Sequence, residues 1–263
     1  MVEGSVLKSI LRISIPIIFA NILVTLYQLI DTFWVGRLGA NAVAAVSLSF
    51  PILFFLTSIA MGLTMAGSIL IAQYNGKKDY ENVSKVTGQT FSIVIIFSII
   101  LSIIGYFSSH FLLSLFTKDI NVLGPATTYL QISFLAITGM FIYTIFQSSL
   151  RGVGEVKIPA LIIFGTVVLN FFLDPLFMFG WKFIPAMGVS GVALATLVTE
   201  YLSAIIGIVL MLKGFFHVKL RIKDLKPKLE YVKKIFKLGV PSSLEMSSRS
   251  FGMVLMTIVV SSF

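Results

Sequence analysis

Apolar runs of membrane-spanning length follow one another along almost the whole chain, at 7–36, 40–74, 87–107, 123–150, 158–179, 187–212 and 229–261. About 20 apolar residues in a helix cover the roughly 30 Å of bilayer hydrocarbon. The chain therefore reads as an all-α polytopic membrane protein. Its composition agrees: 57% of residues are hydrophobic and 12% charged, against roughly 25% charged in soluble domains. The second run rises about 50 Å at 1.5 Å per residue, so it must tilt, kink or project into water, and Pro51 lies inside it. No short apolar segment with a small-residue cleavage site precedes the first run, which is expected to be a retained helix. Cysteine is absent, and the two histidines, His110 and His217, sit near run ends. That composition excludes disulfides and thiolate metal sites and argues against histidine-based ones.

The net charge of +9 does not point to nucleic acid, because its distribution follows the runs. Lys8 and Arg12 open the chain; Lys77, Lys78 and Lys85 follow the second run; Arg151 and Lys157 follow the fourth. After the sixth come Lys213, Lys219, Arg221, Lys223, Lys226, Lys228, Lys233, Lys234 and Lys237. The opposite side holds only Arg37, Lys118 and Lys182, and Arg249 lies inside the seventh run. Cytoplasmic loops carry the excess of Lys and Arg, so the N-terminus is expected inside a multi-pass plasma-membrane protein. Anionic lipid contact is a lesser reading of the same charges.

The start of the first run recurs late in the chain. Residues 232–241, VKKIFKLGVP, lie over 7–16, LKSILRISIP, without a gap, pairing Lys8 with Lys233 and Pro16 with Pro241. The repeat unit is then a whole helix bundle. The expected organisation is a six-helix lobe at 1–212, a cytoplasmic connector at 213–228, and at 229–263 the first helix of a second lobe whose remaining helices are absent from this 263-residue chain.

Acids inside such runs are costly, and by default they mark substrate or ion paths. Asp31 is alone near the outer end of a run that contains Pro16. Asn170 and Asp174 are spaced i, i+4 on one helix face, and Asp174 is level with Asp31 when both are counted from the following glycine turns. By the same counting Asn170 lies about 15 Å and Thr196 about 12 Å below the outer turn. Two carboxylates, an amide oxygen and a hydroxyl are hard ligands suited to a small cation, and the two acids suit proton carriage equally. Other readings stay open. Asp174, followed by Pro175, suits a helix-ending turn; Asp31 suits a solvated vestibule; Thr196 suits a bond to its own i−4 carbonyl. Glu200 is a further intramembrane acid without an evident partner, and Glu245 and Arg249, at i, i+4, would neutralise each other. Met61 and Met65 read as packing rather than pocket, and Phe50, Phe54 and Phe55 as lipid-facing.

Several motifs together resemble the multidrug and toxic compound extrusion (MATE) transporters. These are Pro16, the run DTFWVG from Asp31 to Gly36, QYNG from Gln73 to Gly76, RGVG from Arg151 to Gly154, NFFLDP from Asn170 to Pro175, and GVSGVALAT from Gly188 to Thr196. The resemblance implies half of a two-lobe, inverted-V transporter. It would export organic, often cationic, drugs in exchange for Na⁺ or H⁺ by alternating access, without a cofactor and without enzymatic activity. It places Asp31, Asn170, Asp174 and Thr196 on the family's N-lobe cation site, Pro16 on the bending first helix, and Glu245 near a second-lobe acid. A lipid-linked oligosaccharide flippase is the alternative on the same superfold, but its pyrophosphate cargo needs cationic groups where this chain has acids. An intramembrane aspartyl enzyme built on Asp31 and Asp174 is a third class, and a purely structural membrane subunit a fourth.

Overall fold

The computed structural model describes residues 6–261, which form seven long helices: α1 (Val6–Gly36), α2 (Ala40–Gly76), α3 (Tyr80–Ser114), α4 (Ile120–Gly152), α5 (Lys157–Phe179), α6 (Val189–Lys213) and α7 (Leu229–Ser261). Between α6 and α7 lie two short 3-10 turns, Phe215–His217 and Ile222–Asp224. Six helices, α1 to α6, are long and apolar enough to cross a membrane among the described residues.

The helices outrun the predicted runs where caps carry them into polar sequence. Asp79 caps α3 by accepting from the Asn82 amide at 3.1 Å, and Asp119 caps α4 by accepting from the Asn121 amide at 2.9 Å. Each cap satisfies a donor that the first turn of a helix leaves unpaired. In this way α3 extends a turn or two beyond 87–107 at both ends.

The core is organised around α4, which packs against α2, α3 and α6. Its side chains Leu130, Phe134, Phe141, Ile145, Phe146 and Leu150 are fully or almost fully buried. Small residues let the neighbours come close enough, as between membrane helices generally. A Cβ on Gly105 of α3 would strike the Phe134 ring, and one on Gly139 of α4 would lie 3.1 Å from the Tyr201 amide nitrogen of α6.

α5 and α6 form a tight hairpin. Gly180 turns at φ 76°, Trp181 and Ile184 exchange backbone hydrogen bonds at 3.0 and 2.9 Å, and a Cβ on Gly191 would lie 2.5 Å from the Phe177 carbonyl carbon. This close approach sets α5 and α6 side by side at the depth of Asp174. α1 packs mainly along α5 and leaves Ile15, Ile18, Phe19, Ile22, Leu26 and Leu29 exposed. α7 packs against α2, where Gly62 faces Gly239 and Ser243 and the Ser58 and Ser247 hydroxyls meet at 3.2 Å. Pro16 and Pro241 both lie inside helices, so neither proline ends its element.

Candidate functional site

Four helices bring polar side chains together near the end of the bundle that carries the α1–α2 and α5–α6 turns. α1 supplies Tyr27 and Asp31, one turn apart on the same face. α5 supplies Asn170 and Asp174, both with no exposed surface, and α6 supplies Thr196, Thr199 and Glu200. α4 adds Tyr129, within electrostatic range of both acids. The four residues singled out in the sequence therefore lie together: Asp174 and Thr196 are side-chain neighbours of Asp31. Asn170 closes the group by donating from Nδ2 to Asp174 Oδ1 at 3.1 Å.

Local folding explains each placement. α5 does not end at Pro175 but runs on to Phe179, which keeps Asp174 in register with Asn170 and inside the bundle. The helix-ending reading of Asp174 is thereby overturned. Among the described residues of α6 the i−4 bond belongs not to Thr196 but to Thr199, which donates to the Ala195 carbonyl at 3.0 Å. Because this commits the Thr199 proton to the backbone, Tyr27 is the donor in the 2.9 Å hydroxyl contact between them. The Tyr27 bond ties α1 to α6 one turn below Asp31.

Three acceptor oxygens in this group are buried and have no hydrogen-bond partner: Asp31 Oδ1, Asn170 Oδ1 and Asp174 Oδ2. Buried polar atoms are seldom left so. Two carboxylates and an amide oxygen grouped in this way would be satisfied by a positive charge, a shared proton or a metal cation. The donor set thus fits a small hard cation or protons.

Apolar side chains close the group toward the α1–α2 and α5–α6 turns. Trp34 packs between Phe171 and Phe179 of α5, with ring centroids at 5.8 and 6.3 Å. Val35, Ala42, Met178, Val189 and Val192 form a separate small core beside it.

Asp31 also lines the wall of a cavity of about 890 Å³ among α1, α2, α4 and α7, with Gln28, Phe50, Tyr129, Gly252 and Met256. Among the described residues it is the only carboxylate or cation on that wall. Phe50, expected to face lipid, lines this cleft instead and stacks on Phe54 at 5.8 Å. Phe54 and Phe55 are half-buried. The methionine on the cleft is Met256, not Met61, which packs into the core, or Met65. Glu245 is exposed on α7, and the side chain of Arg249, its expected partner, lies outside the described residues, as do those of Lys8 and Arg12. Glu200 lies half-buried on the inner side of the group, within electrostatic range of Tyr27 and Tyr143. Pro16 lines a narrow gap against Arg151, Glu155 and Pro159 at the start of α5.

Tyr27, Tyr129 and Thr199 were not anticipated. Tyr27 was legible as the residue four before Asp31. Tyr129 gave no signal, because no acid on α4 accompanies it.

The family described as MatE matches residues 16–176. A "Probable multidrug resistance protein YpnP" of Bacillus subtilis (strain 168) is 32% identical over 99% of this chain and 58% of its own length. A "Multidrug export protein MepA" of Staphylococcus saprophyticus is 25% identical over 92% of this chain and 53% of its own. A solved structure described as the outward-facing conformation of a multidrug resistance MATE family transporter of the MOP superfamily superposes with a TM-score of 0.85 at 28% identity. It covers 94% of this chain and 54% of that one. The chain spans about half the length of the relatives it matches. On the matched span, the fold and the motifs together, this chain belongs to the MATE family, whose members are membrane transporters and not enzymes.

Proposed function

We propose that this chain supplies the ion-coupling half of a secondary active multidrug exporter, and that Asp31, Asn170, Asp174 and Thr196 hold the Na⁺ or H⁺ that drives it. The observation that carries this reading is the trio of buried, unpartnered acceptor oxygens on Asp31, Asn170 and Asp174. A cation or proton there satisfies all three, and Thr196 adds a fourth oxygen ligand. Asp31 joins the two halves of the mechanism, since one side meets Asp174 and the other meets the cleft. An organic cation in the cleft is attracted by Asp31 when the site is empty and loses that attraction when the site is loaded. Ion and drug then compete for one negative potential, and alternating access converts the competition into exchange.

In this reading 1–212 is the N-terminal lobe, 213–228 the cytoplasmic connector, and 229–263 the first helix of a second lobe, in which Glu245 is a further acid. The N-terminus lies on the cytoplasmic side of the plasma membrane, as the Lys and Arg distribution argues. Pro16, by removing one backbone donor from α1, lowers the cost of bending that helix as the site loads. The flippase reading finds no support. The relatives carry drug-export names, and the cleft wall offers an acid rather than cations for a pyrophosphate.

The test uses the full-length protein in proteoliposomes. Drug affinity is measured across a range of pH and of Na⁺ concentration. It should weaken as one of the two ions rises, and Asp31→Asn should remove the dependence. Affinity that stays constant across both ranges would return the four residues to a structural role.

A further inference from the structure

We propose that the connector between α6 and α7 is a rigid docking platform for anionic phospholipid headgroups. The inference goes beyond the transport reading. It needs only that the bundle sits in a membrane, not that its sidedness is known.

Connectors of this composition are usually loose tethers; this one is held from below. Gln89 of α3, 1% exposed, reaches it with both ends of its amide. Its Nε2 donates to the carbonyls of Asp224 at 2.6 Å and Lys226 at 2.8 Å, and its Oε1 accepts from the Lys228 amide at 2.6 Å. Ser92 donates to the Leu225 carbonyl at 2.6 Å. Gly88 gives room for Asp224, whose Cβ lies 2.9 Å from where a glycine replacement would place its own. At the other end the Leu220 amide bonds to the Met211 carbonyl at 2.9 Å, and the His217 ring stacks on Tyr80 at 4.1 Å. Val218 and Leu220 are buried in the core.

With its backbone fixed, the segment sorts its side chains by chemistry. Val218, Leu220 and Asp224 point inward, so the segment's one acid, 4% exposed, is taken off the surface. Outward face Lys219, Lys223, Lys226 and Lys228, all exposed, and Arg221, half-exposed. Among them stand Phe215, Phe216, Ile222 and Leu229, with Ile222 81% exposed. The nearby acids Glu81 and Glu230 are each already held by a lysine, Lys85 at 2.8 Å and Lys234 at 2.6 Å.

Positive-inside topology accounts for the cations but not for a buried amide that clamps three backbone groups of residues 224–228 beneath them. Nor does it account for bulky apolar side chains left in the open beside them. Cations interleaved with apolar anchors at the ends of membrane helices match one partner, a surface that is both anionic and greasy. Each Lys or Arg near such a surface adds binding that salt screens, and the apolar side chains insert at the headgroup boundary. A soluble acidic peptide matches the charges and leaves Ile222 and Phe215 in water.

The full-length protein is placed in nanodiscs of phosphatidylcholine, and a fluorescent phosphatidylglycerol is titrated in. Combined K219Q, R221Q and K223Q should weaken its apparent affinity on the order of a hundredfold at low salt, with the thermal midpoint in pure phosphatidylcholine unchanged. Gln89→Leu keeps every charge but releases the shelf, and should lose part of the same preference. Lys118→Gln with Lys182→Gln, on the other side, should leave it intact. Equal phosphatidylglycerol affinity in the triple variant and the unmodified protein would overturn the proposal. So would an equal loss in the Lys118 and Lys182 control, or binding of a soluble polyglutamate as tight as that of the lipid.

Discussion

α1 and α4 are similar in length and apolarity but differ in attachment. In the most apolar stretch of α1 11% of residues are buried in the bundle, against 50% in that of α4. α4 packs chiefly on three helices and fills the centre with aromatic rings, whereas α1 leans on α5 and meets α6 mainly around Tyr27 and Asp31. Yet α1 carries Asp31, and α4 contributes to the site only Tyr129. The charge proposed to select between states sits on the element with least packing to lose, and the element with most packing is the one expected to stay still. Local stability in proteins is commonly divided in this way, with the parts that move drawn from its low end.

The comparison is broken most directly at Asp31. Asp31→Asn in the full-length protein should reduce drug export to background at unchanged membrane insertion, read by efflux against expression level. An Asn variant that exports normally would leave α1 without a functional charge. Phe134→Ala should do the reverse. Emptying the space against Gly105 costs about 3–5 kcal/mol of stability, so the melting midpoint falls, and whatever protein remains folded keeps its cation dependence. If Phe134→Ala altered coupling and left stability alone, α4 would not be the static member. A smaller effect is expected at the ligands behind Asp31. Asn170→Ala should weaken cation binding about tenfold, equivalent to ~1.4 kcal/mol, by calorimetric titration with the ion that proves active. Smallest is Tyr27→Phe, which removes one hydrogen bond worth about 1 kcal/mol. It should change the rate of ion-dependent α1 movement, followed by a fluorophore on α1, more than it changes ion affinity.

The helices and the main site residues were legible because membrane burial leaves few explanations for an acid. Asp31, Asn170 and Asp174 stand out from apolar surroundings, and counting residues from glycine turns gave their shared depth. Tyr129 did not stand out, since a tyrosine near a helix end is ordinary and only the packing of α4 against its neighbours turns it toward Asp31. Phe50 was misread for a related reason. Hydropathy does not separate a side chain that faces lipid from one that lines an internal cleft, and α7, which closes that cleft, is distant in sequence. Gln89 was invisible as a clamp because its partners are backbone atoms more than a hundred residues away.

Gly62 and Gly239 bring the backbones of α2 and α7 together with no slack, at a point about 20 Å along α2 from its Gly76 end. A Cβ added at Gly62 would strike Ser243 and come within 2.7 Å of the Gly239 carbonyl oxygen. Two surfaces this close behave as a latch that closes only when nothing is caught in it. One extra carbon at Gly62 is therefore a doorstop, placed far from every polar residue of the site. It prises α7 away from α2 and leaves the affinity of the cation group for its ion to be measured with the crossing held open.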